Sequence, residues 1–357
     1  MEKVGVWGAG FISHSHAAAL RNCGIDILAV VDQSEQAVKT FASKWEIPIY
    51  GTDDSILFRD TITTVHVCTP PNLHFKMVKR LLESGKNVLC EKPLCFTNKE
   101  AEELVKLANS KSLKCAVNLN VRYHNMTDKI KEKVQSSNFG DIHLIHGNYL
   151  QEFHTLPTAY NWRYKPELAG KMRAVTEIGT HWFDIIKYVS NLDIVSVSAL
   201  FGNYNPKRLL KDNLMYSIVE KGIGGADSEV EVVSEDVALV YLRFSNGAIG
   251  SVVLSEISHG YSNHLSYEIT GSKMTVGWNS QDNNEFYFSE GQCQSNIIKD
   301  GFGNGFNDSF QNLVTDFYSD SMESLKYPSF KEGAAIVKIC NAIYKSAINE
   351  SKWVSLE

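Results

Sequence analysis

The first third of the chain alternates between short apolar runs and amphipathic stretches. The apolar runs predict strands at residues 3–7, 25–31, 64–69, 87–90 and 114–120. The stretches between them predict helices at residues 11–23, 33–45, 72–84 and 97–110. Strands separated by helices in this way indicate βαβ units around a parallel sheet. Because crossover connections are right-handed, we expect a doubly wound α/β sheet.

After about residue 122 the pattern changes to strands that follow one another directly. Strands are predicted at residues 142–153, 194–201, 237–244, 248–256, 265–270 and 273–278. Asn246-Gly247 joins two of them, and Asn-Gly between apolar runs is a strong hairpin signal. Helices are predicted at 173–189, 309–323 and 331–348, and loops at 203–235 and 296–308. We therefore expect a domain over 1–122 and an α+β domain over 123–357, built on a large, mostly antiparallel open sheet.

Composition narrows the class of protein. The length of 357 residues suits roughly two domains. With 35 Lys+Arg against 41 Asp+Glu, the net charge of −6 argues against a nucleic-acid partner. No apolar stretch reaches the roughly 18 residues of a membrane span, and the first residues run straight into a strand pattern without a signal peptide, so we expect a cytoplasmic protein. Seven cysteines without a CxxC pair predict free thiols and no metal site.

A glycine-rich turn follows the first predicted strand. Gly8 permits a tight turn, and Gly10 lets the backbone approach a pyrophosphate at the N-terminus of the next helix, beside Phe11 and Ile12. The third position of this G-x-G-x-x-G-like motif is Ser13. Asp32 ends the second predicted strand, where a carboxylate can bind the ribose hydroxyls of NAD. Ser34 and Lys39 leave NADP open.

Other polar groups follow later strands of the same sheet. Thr69, Pro70 and Asn72 end the strand at 64–69 and are expected at the cofactor, although Asn72 could instead cap the following helix. Lys92 lies in Glu91-Lys92-Pro93 at the end of the next strand. An ammonium group there can donate to an oxygen that is being oxidised. His14 and His16 are expected at the surface or in packing, and not as metal ligands.

A run of motifs resembles the Gfo/Idh/MocA oxidoreductases, which include glucose–fructose oxidoreductase and inositol 2-dehydrogenase. The resemblance rests on the turn at 8–10 and on segments 68–74, 90–94, 118–123 and 177–184, in family order and spacing. Segments 149–151, 161–163 and 177–184 are most similar to the branch around the levoglucosan dehydrogenases.

The resemblance implies a Rossmann domain, a second domain whose open sheet forms homodimers or homotetramers, and hydride transfer between a nicotinamide and a sugar or cyclic polyol. It assigns catalytic roles to Lys92 and His181, and Glu177 stands where the family has an aspartate. The expected cofactor contacts are Gly8, Gly10, Phe11, Ile12, Asp32, Thr69, Pro70, Asn72, His74, Glu91, Lys92, Trp162 and Arg163. The expected substrate contacts are Lys92, Arg122, Tyr123, Tyr149, Trp162, His181 and Asp184.

Helical periodicity over 173–189 supports the same assignment. Glu177, His181 and Asp184 fall on one line, about 100° from an apolar stripe, if each residue turns 100°. Such a line could also be a solvated face of the helix. Gly179 inside the helix suggests close approach by a ligand or by backbone. Trp162 could also be a core residue and Arg163 a surface residue.

The expected reaction transfers hydride from a hydroxyl-bearing carbon while His181 takes the hydroxyl proton. Lys92 stabilises the oxyanion, and Glu177 or Asp184 orients the imidazole. Lys92 and His181 would titrate as a pair, so either could be the formal base. With no cluster of basic residues in the second domain, a neutral sugar, anhydrosugar or polyol is favoured over a phosphorylated one. The alternatives are a glycoside-cleaving enzyme that uses transient oxidation and a non-catalytic nucleotide-sensing regulator.

Overall fold

The computed structural model describes residues 2–219, 228–301, 305–319 and 326–356. The chain divides into two compact units. Unit 1 comprises Met1–His124 and Asn304–Val337, and unit 2 comprises Asn125–Gly303 and Lys338–Glu357. Among the described residues, no helix is both long and apolar enough to span a bilayer.

Unit 1 is built on a six-stranded, fully parallel sheet in the order β3-β2-β1-β4-β5-β6. Its strands are β1 (Lys3–Trp7), β2 (Asp26–Val31), β3 (Ile49–Gly51), β4 (Thr64–Val67), β5 (Asn87–Cys90) and β6 (Cys115–Val117). The helices between them are α1 (Phe11–Asn22), α2 (Glu35–Trp45), α3 (His74–Glu83) and α4 (Asn98–Ser110). This confirms the predicted doubly wound sheet. The short edge strand β3 was not predicted, because three residues are too few to show a pattern.

Unit 2 contains a nine-stranded sheet in the order β18-β17-β16-β15-β7-β14-β13-β9-β19. Among the strand pairs formed by the described residues of this sheet, only β7 and β14 run parallel, so the predicted mostly antiparallel sheet is confirmed. A second, four-stranded sheet has the order β12-β10-β11-β8. The strands are β7 (Ile142–Leu150), β8 (Thr158–Ala159), β9 (Ile194–Gly202), β10 (Lys207–Lys211), β11 (Leu214–Ser217), β12 (Ser228–Glu231), β13 (Val237–Phe244), β14 (Ile249–Ser255), β15 (His264–Gly271), β16 (Met274–Asn279), β17 (Glu285–Glu290), β18 (Asn296–Lys299) and β19 (Val354–Ser355).

The helices of unit 2 include α5 (Thr127–Val134), the short α6 (Pro166–Ala169) and α7 (Thr180–Ser190). A π-helical turn, Val175–Gly179, precedes α7, so the prediction of one regular α-helix over 173–189 is wrong. The π turn breaks the 100° spacing on which the line through Glu177 and His181 was based. Gly179 does allow a close approach, but the neighbour is the Leu254 side chain of β14, 2.7 Å from where a Cβ would lie.

Both predicted loops contain strands. Strands β10, β11 and β12 lie within 203–235, and β18 lies within 296–308; residues 220–227 and 302–304 are outside the described residues. The β10 segment looked like a loop because charged residues dominate it, yet Arg208 is buried and pairs with Asp236 at 3.0 Å. Because a buried ion pair takes the place of apolar side chains here, the hydrophobic pattern does not predict this strand.

Near its end the chain returns to unit 1 with α8 (Phe306–Tyr318) and the start of α9 (Phe330–Ala347). Phe310 and Val314 of α8 pack in one buried cluster with Val4 and Val6 of β1. The predicted second domain over 123–357 included this segment, and residues 320–323 of the helix predicted there are outside the described residues. Because a sequence pattern shows which face of a helix is apolar but not which core it covers, the return was not predictable.

Candidate cofactor and catalytic sites

The glycine turn between β1 and α1 is tight on one side and open on the other. Gly8 has φ +108°, and a Cβ there would lie 2.8 Å from the Cys68 carbonyl oxygen. Gly10 precedes the first residue of α1, and a Cβ there would meet nothing within 4 Å. The Ser13 hydroxyl donates to the Gly8 carbonyl at 2.8 Å. The turn therefore leaves room for an anion at the N-terminus of α1, whose first turn carries no acidic residue.

Asp32 directly follows β2, and backbone hydrogen bonds fix its carboxylate. Its Oδ2 accepts from Ala9 N and its Oδ1 from Ser34 N, both at 2.8 Å. Each carboxylate oxygen keeps a lone pair that a ribose hydroxyl could use. The Ser34 hydroxyl accepts from Ala37 N as the N-cap of α2.

The segment after β4 carries Thr69, Pro70, Asn72 and His74. The His74 ring lies between two carbonyl oxygens, with Nε2 2.9 Å from Thr69 and Nδ1 2.8 Å from Pro93. Two carbonyl oxygens favour a doubly protonated ring, but burial lowers the pKa of His74, so we take the ring as neutral and donating to one of them. Asn72 does not cap α3 with its side chain. Its buried Oδ1 accepts no hydrogen bond from the described residues, which fits an incoming donor such as a cofactor amide.

Glu91 and Lys92 follow β5 at the same end of the sheet. Glu91 is buried; its Oε1 accepts from Asn118 Nδ2 at 2.6 Å and from His16 Nε2 at 3.0 Å, and its Oε2 accepts from Lys92 N at 3.2 Å. Burial alone would raise the pKa of Glu91, but the hydrogen bonds from His16 and Asn118 and the charges of His16 and Lys92 lower it to about 2. Lys92 is half-buried, and the Lys92–Pro93 peptide is cis.

Arg122 and Tyr123, expected to contact substrate, lie in a short 3-10 helix after β6. Tyr123 packs in a buried cluster with Leu89 and Phe317, and its hydroxyl donates to Asp316. Arg122 is also buried and donates to the Lys326 carbonyl at 3.4 Å. Both side chains thus have structural partners within unit 1, and their contact with substrate stays a prediction.

In unit 2, the π turn and α7 carry three of the predicted residues. His181 and Asp184 are buried on α7. Glu177 lies in the π turn, where its Oε2 accepts from Arg163 Nε at 3.0 Å. The Arg163 guanidinium lies 4.6 Å from the centre of the Trp162 ring. The structure therefore brings Trp162, Arg163 and Glu177 together.

Tyr149, another predicted substrate contact, has structural partners within unit 2, and its contact with substrate stays a prediction. It is buried on β7, and its hydroxyl donates to Asn263 Oδ1 at 2.8 Å. Gln151 Nε2 donates to the same oxygen at 2.6 Å. Burial raises the pKa of Tyr149 well above its usual range.

A buried charged cluster beside Glu177 was missed by the sequence analysis. The Arg173 guanidinium donates to Asp236 and, at 2.7 Å, to Glu256. His154 Nε2 lies 3.9 Å from both Glu177 and Glu256. The signal in the sequence was weak, because single charged residues at strand ends are common.

His154, Glu177 and Glu256 bring their ligand-type atoms within 4.8 Å of one another, as at metal sites. However, Glu177 already accepts from Arg163 and Glu256 from Arg173. Two guanidinium groups thus balance the two carboxylates, so an ion-pair network accounts for this group.

Comparisons with known proteins agree with the architecture. Residues 2–119 match the family described as "Oxidoreductase family, NAD-binding Rossmann fold", and residues 127–277 match the GFO/IDH/MocA C-terminal domain. Levoglucosan dehydrogenase of Pseudarthrobacter phenanthrenivorans is 25% identical over 99% of this chain and 97% of its own. Inositol 2-dehydrogenase of Rhizobium meliloti is 22% identical over 99% of both chains. A solved levoglucosan dehydrogenase in complex with NADH has a TM-score of 0.87 at 23% identity, covering 100% of this chain and 99% of that one.

The parallel sheet of unit 1, with its open glycine turn and fixed carboxylate, defines an oxidoreductase with an NAD-binding Rossmann domain. Together the two family matches cover most of the chain. The chain belongs to the Gfo/Idh/MocA family of oxidoreductases.

Proposed function

We propose that this protein is an NAD-dependent dehydrogenase that oxidises a hydroxyl-bearing carbon of a neutral sugar, anhydrosugar or cyclic polyol. One observation carries the proposal: the open turn at Gly10, the fixed carboxylate of Asp32 and the lysine at position 92 all follow strands of one parallel sheet at their carboxyl ends. The relatives named levoglucosan dehydrogenase and inositol 2-dehydrogenase support the substrate class.

In this proposal the residues of the chain accept the proton of the substrate hydroxyl and stabilise the negative charge that develops on its oxygen. NAD+ supplies the hydride acceptor, and Gly8, Gly10 and Asp32 hold it. His181 takes the hydroxyl proton while Lys92 donates to the oxygen as negative charge develops there. In this proposal the two groups would titrate as a pair, so either could be the formal base. The alcohol thus loses a hydride to the cofactor and a proton to the protein.

Glu177 is the proposed partner of His181, and Arg163 fixes its position. The ion pair between Arg163 and Glu177 is partly exposed, with 37% and 20% of the side chains accessible. Because solvent weakens such a pair, we assign it a role in orienting Glu177 and not in stabilising the fold. Trp162, stacked on Arg163, offers an aromatic face of the kind that binds the C–H surface of a sugar.

The proposal is tested with a panel of monosaccharides, inositols and 1,6-anhydrosugars, following NADH or NADPH absorbance. Lys92→Ala and His181→Ala should each lower turnover at least ~10²-fold. Because both groups serve one proton transfer, the double variant should lose much less than the product of the two single losses. Turnover of Lys92→Ala within a few-fold of wild type would exclude the oxyanion role.

The same panel separates the alternatives. Release of a sugar from a glycoside without accumulation of NADH would indicate cleavage by transient oxidation. Tight nucleotide binding without turnover of any substrate would indicate a nucleotide-sensing regulator.

We also propose a cytoplasmic homodimer or homotetramer that forms through the nine-stranded sheet. Leu200, Leu239 and Val253 lie side by side on β9, β13 and β14, and each is more than a third exposed. Tyr241, two residues along β13, is 59% exposed. Alternating residues of β13 are buried on the other face, so the exposed face carries apolar side chains that a second copy could cover.

A further inference from the structure

A buried series of hydrogen bonds leads from Glu91 through the interior of unit 1. His16 Nε2 lies 3.0 Å from the Glu91 carboxylate, and His16 Nδ1 lies 2.7 Å from His66 Nδ1. His66 Nε2 lies 2.9 Å from the Tyr318 hydroxyl. Both imidazole rings are fully buried. We call Glu91, His16, His66 and Tyr318 the histidine chain.

The ends of the histidine chain determine where its protons lie. With a pKa of about 2, Glu91 is a carboxylate and accepts, so His16 donates from Nε2. Burial, reinforced by the charge of His16, holds the pKa of His66 well below its usual range, so this ring carries one proton. Burial raises the pKa of Tyr318, which keeps its hydroxyl proton. A single proton must therefore lie between the two facing Nδ1 atoms.

Two arrangements satisfy these conditions. In the first, Tyr318 donates to His66, His66 donates to His16, and His16 is neutral. In the second, His16 carries both ring protons and donates to His66, which donates from Nε2 to Tyr318. The second arrangement holds one more proton than the first, and the two bonds between His16 and Tyr318 are reversed. A proton that enters at Tyr318 thus becomes a positive charge on His16. Apart from the two reversed hydrogen bonds, nothing else in the histidine chain changes.

The far end of the histidine chain leads to the surface. The Thr64 hydroxyl lies beside the Tyr318 hydroxyl and donates to Glu2 Oε2 at 3.1 Å. Glu2 is exposed. Protons can therefore reach Tyr318 from solvent through side-chain oxygens.

The near end of the histidine chain lies against Lys92. The Lys92 backbone N–H donates to Glu91, and the charges of the two side chains act on each other. The other titratable groups that act on Glu91 are Cys68, Cys90 and His74. Burial raises the pKa of both thiols and lowers that of His74, which leaves all three neutral. Among these described neighbours, His16 is the one that hydrogen bonds connect to His66 and Tyr318.

We propose that the histidine chain is a positioning element for Lys92, in which His16 holds Glu91 as an anion next to the lysine and exchanges a proton with solvent through His66 and Tyr318. The inference rests on the proposed function, because it concerns the lysine assigned to the oxyanion. Glu91 then serves the reaction through Lys92, and its predicted contact with the cofactor is not needed for this role.

The test is the titration of the Lys92 ammonium, followed by NMR with ¹⁵N-labelled lysine and assigned with Lys92→Arg. Glu91→Gln removes the anion and should shift this titration to lower pH, by on the order of one unit. His16→Leu removes the donor that keeps Glu91 ionised and should shift it in the same direction. His16→Gln keeps an N–H donor and should restore the wild-type value.

His14→Leu is the matched control. It makes the same substitution on the same helix, at a ring that accepts from Trp45 and has no part in the histidine chain. It should leave the Lys92 titration unchanged. The proposal is overturned if Lys92 titrates alike in all the folded variants, or if His16→Gln moves it as far as His16→Leu.

A second measurement covers the case in which His16→Leu does not fold. In the wild type, the proton between the two Nδ1 atoms should give a far-downfield imidazole resonance that is protected from exchange and disappears in Tyr318→Phe or changes its position. The absence of such a resonance in the wild type would also overturn the proposal. Neither NMR measurement needs turnover, so a protein without dehydrogenase activity would refute the proposed function and still decide this inference.

Discussion

At the scale of single residues, the two glycines of the first turn have different reasons for lacking a side chain. Gly8 combines a positive φ with a carbonyl oxygen 2.8 Å from the position of a Cβ, so folding itself requires glycine. Gly10 has an ordinary φ of −82° and open space around it, so folding does not require glycine there. The absence of a side chain at Gly10 matters only when a ligand approaches the turn.

This difference gives a paired prediction. Gly8→Ala should lower the free energy of unfolding by about 2–4 kcal/mol, because it adds strain at φ and a clash with backbone. Gly10→Ala should change stability by less than about 0.5 kcal/mol but weaken NAD binding at least about tenfold, because the methyl group occupies the space of the pyrophosphate. Thermal unfolding and calorimetric titration with NAD+ measure the two effects. Normal NAD affinity in Gly10→Ala would contradict the placement of the cofactor.

Sequence reasoning at this scale predicted where a residue lies when its place is fixed relative to a strand. Asp32 and Lys92 lie just after β2 and β5, as expected from apolar runs that must form parallel strands, and their roles stay predictions. It failed for His154 and Glu256, which meet only through the folding of unit 2. His16 and His66 are separated by 50 positions, so nothing local in the sequence indicates that their rings touch.

At the scale of elements, Glu235 caps the irregular start of the helical segment around Glu177. Its Oε1 accepts from Arg173 N at 3.0 Å and from Val175 N at 2.9 Å, which satisfies amide groups that lack partners at a helix start. Burial raises the pKa of Glu235 from 4.5 to about 7, although these backbone N–H groups oppose the shift. The cap is thus held by a carboxyl that resists ionisation.

This pKa predicts how stability depends on pH. Between about pH 4.5 and 7 the unfolded chain loses the Glu235 proton while the folded protein retains it, so the free energy of unfolding should fall by about 3 kcal/mol as pH rises through this range. Glu235→Gln keeps an acceptor for both amides and removes the ionisation, so this part of the pH dependence should disappear. Urea denaturation across the range measures it.

Glu229→Gln, at an exposed position on β12, is the control and should retain the wild-type pH dependence. An equal slope in wild type and Glu235→Gln would show that Glu235 does not titrate in this range.

Element prediction from sequence was most successful where hydrophobic periodicity alone decides. Strands β1 and β5 have the predicted bounds, because their runs are apolar and end at turn residues. The π turn could not be predicted, because it differs from an α-helix by a single inserted residue in a segment that is buried on nearly all sides. The four-stranded sheet was not predicted, because an arginine such as the buried Arg208 is expected at the surface.

At the scale of the whole molecule, the exposed apolar face of the nine-stranded sheet predicts self-association. Leu239→Asp places a carboxylate at the centre of the row formed with Leu200 and Val253, so it should shift the protein towards monomers. Size-exclusion chromatography with light scattering measures the change. Tyr50→Asp, at an exposed position in unit 1, should leave the assembly unchanged. A wild-type protein that is monomeric at high concentration would contradict the proposed interface.

The order of the chain has a consequence for biosynthesis. Phe310, Leu313, Val314 and Phe317 complete the hydrophobic clusters of unit 1, yet they are translated only after nearly all of unit 2. When the first 124 residues have emerged from the ribosome, they therefore expose an apolar surface that nothing yet covers. The unit whose translation begins first therefore waits for nearly all of the other unit before its core is complete, and in the interval its exposed face is a natural substrate for chaperones.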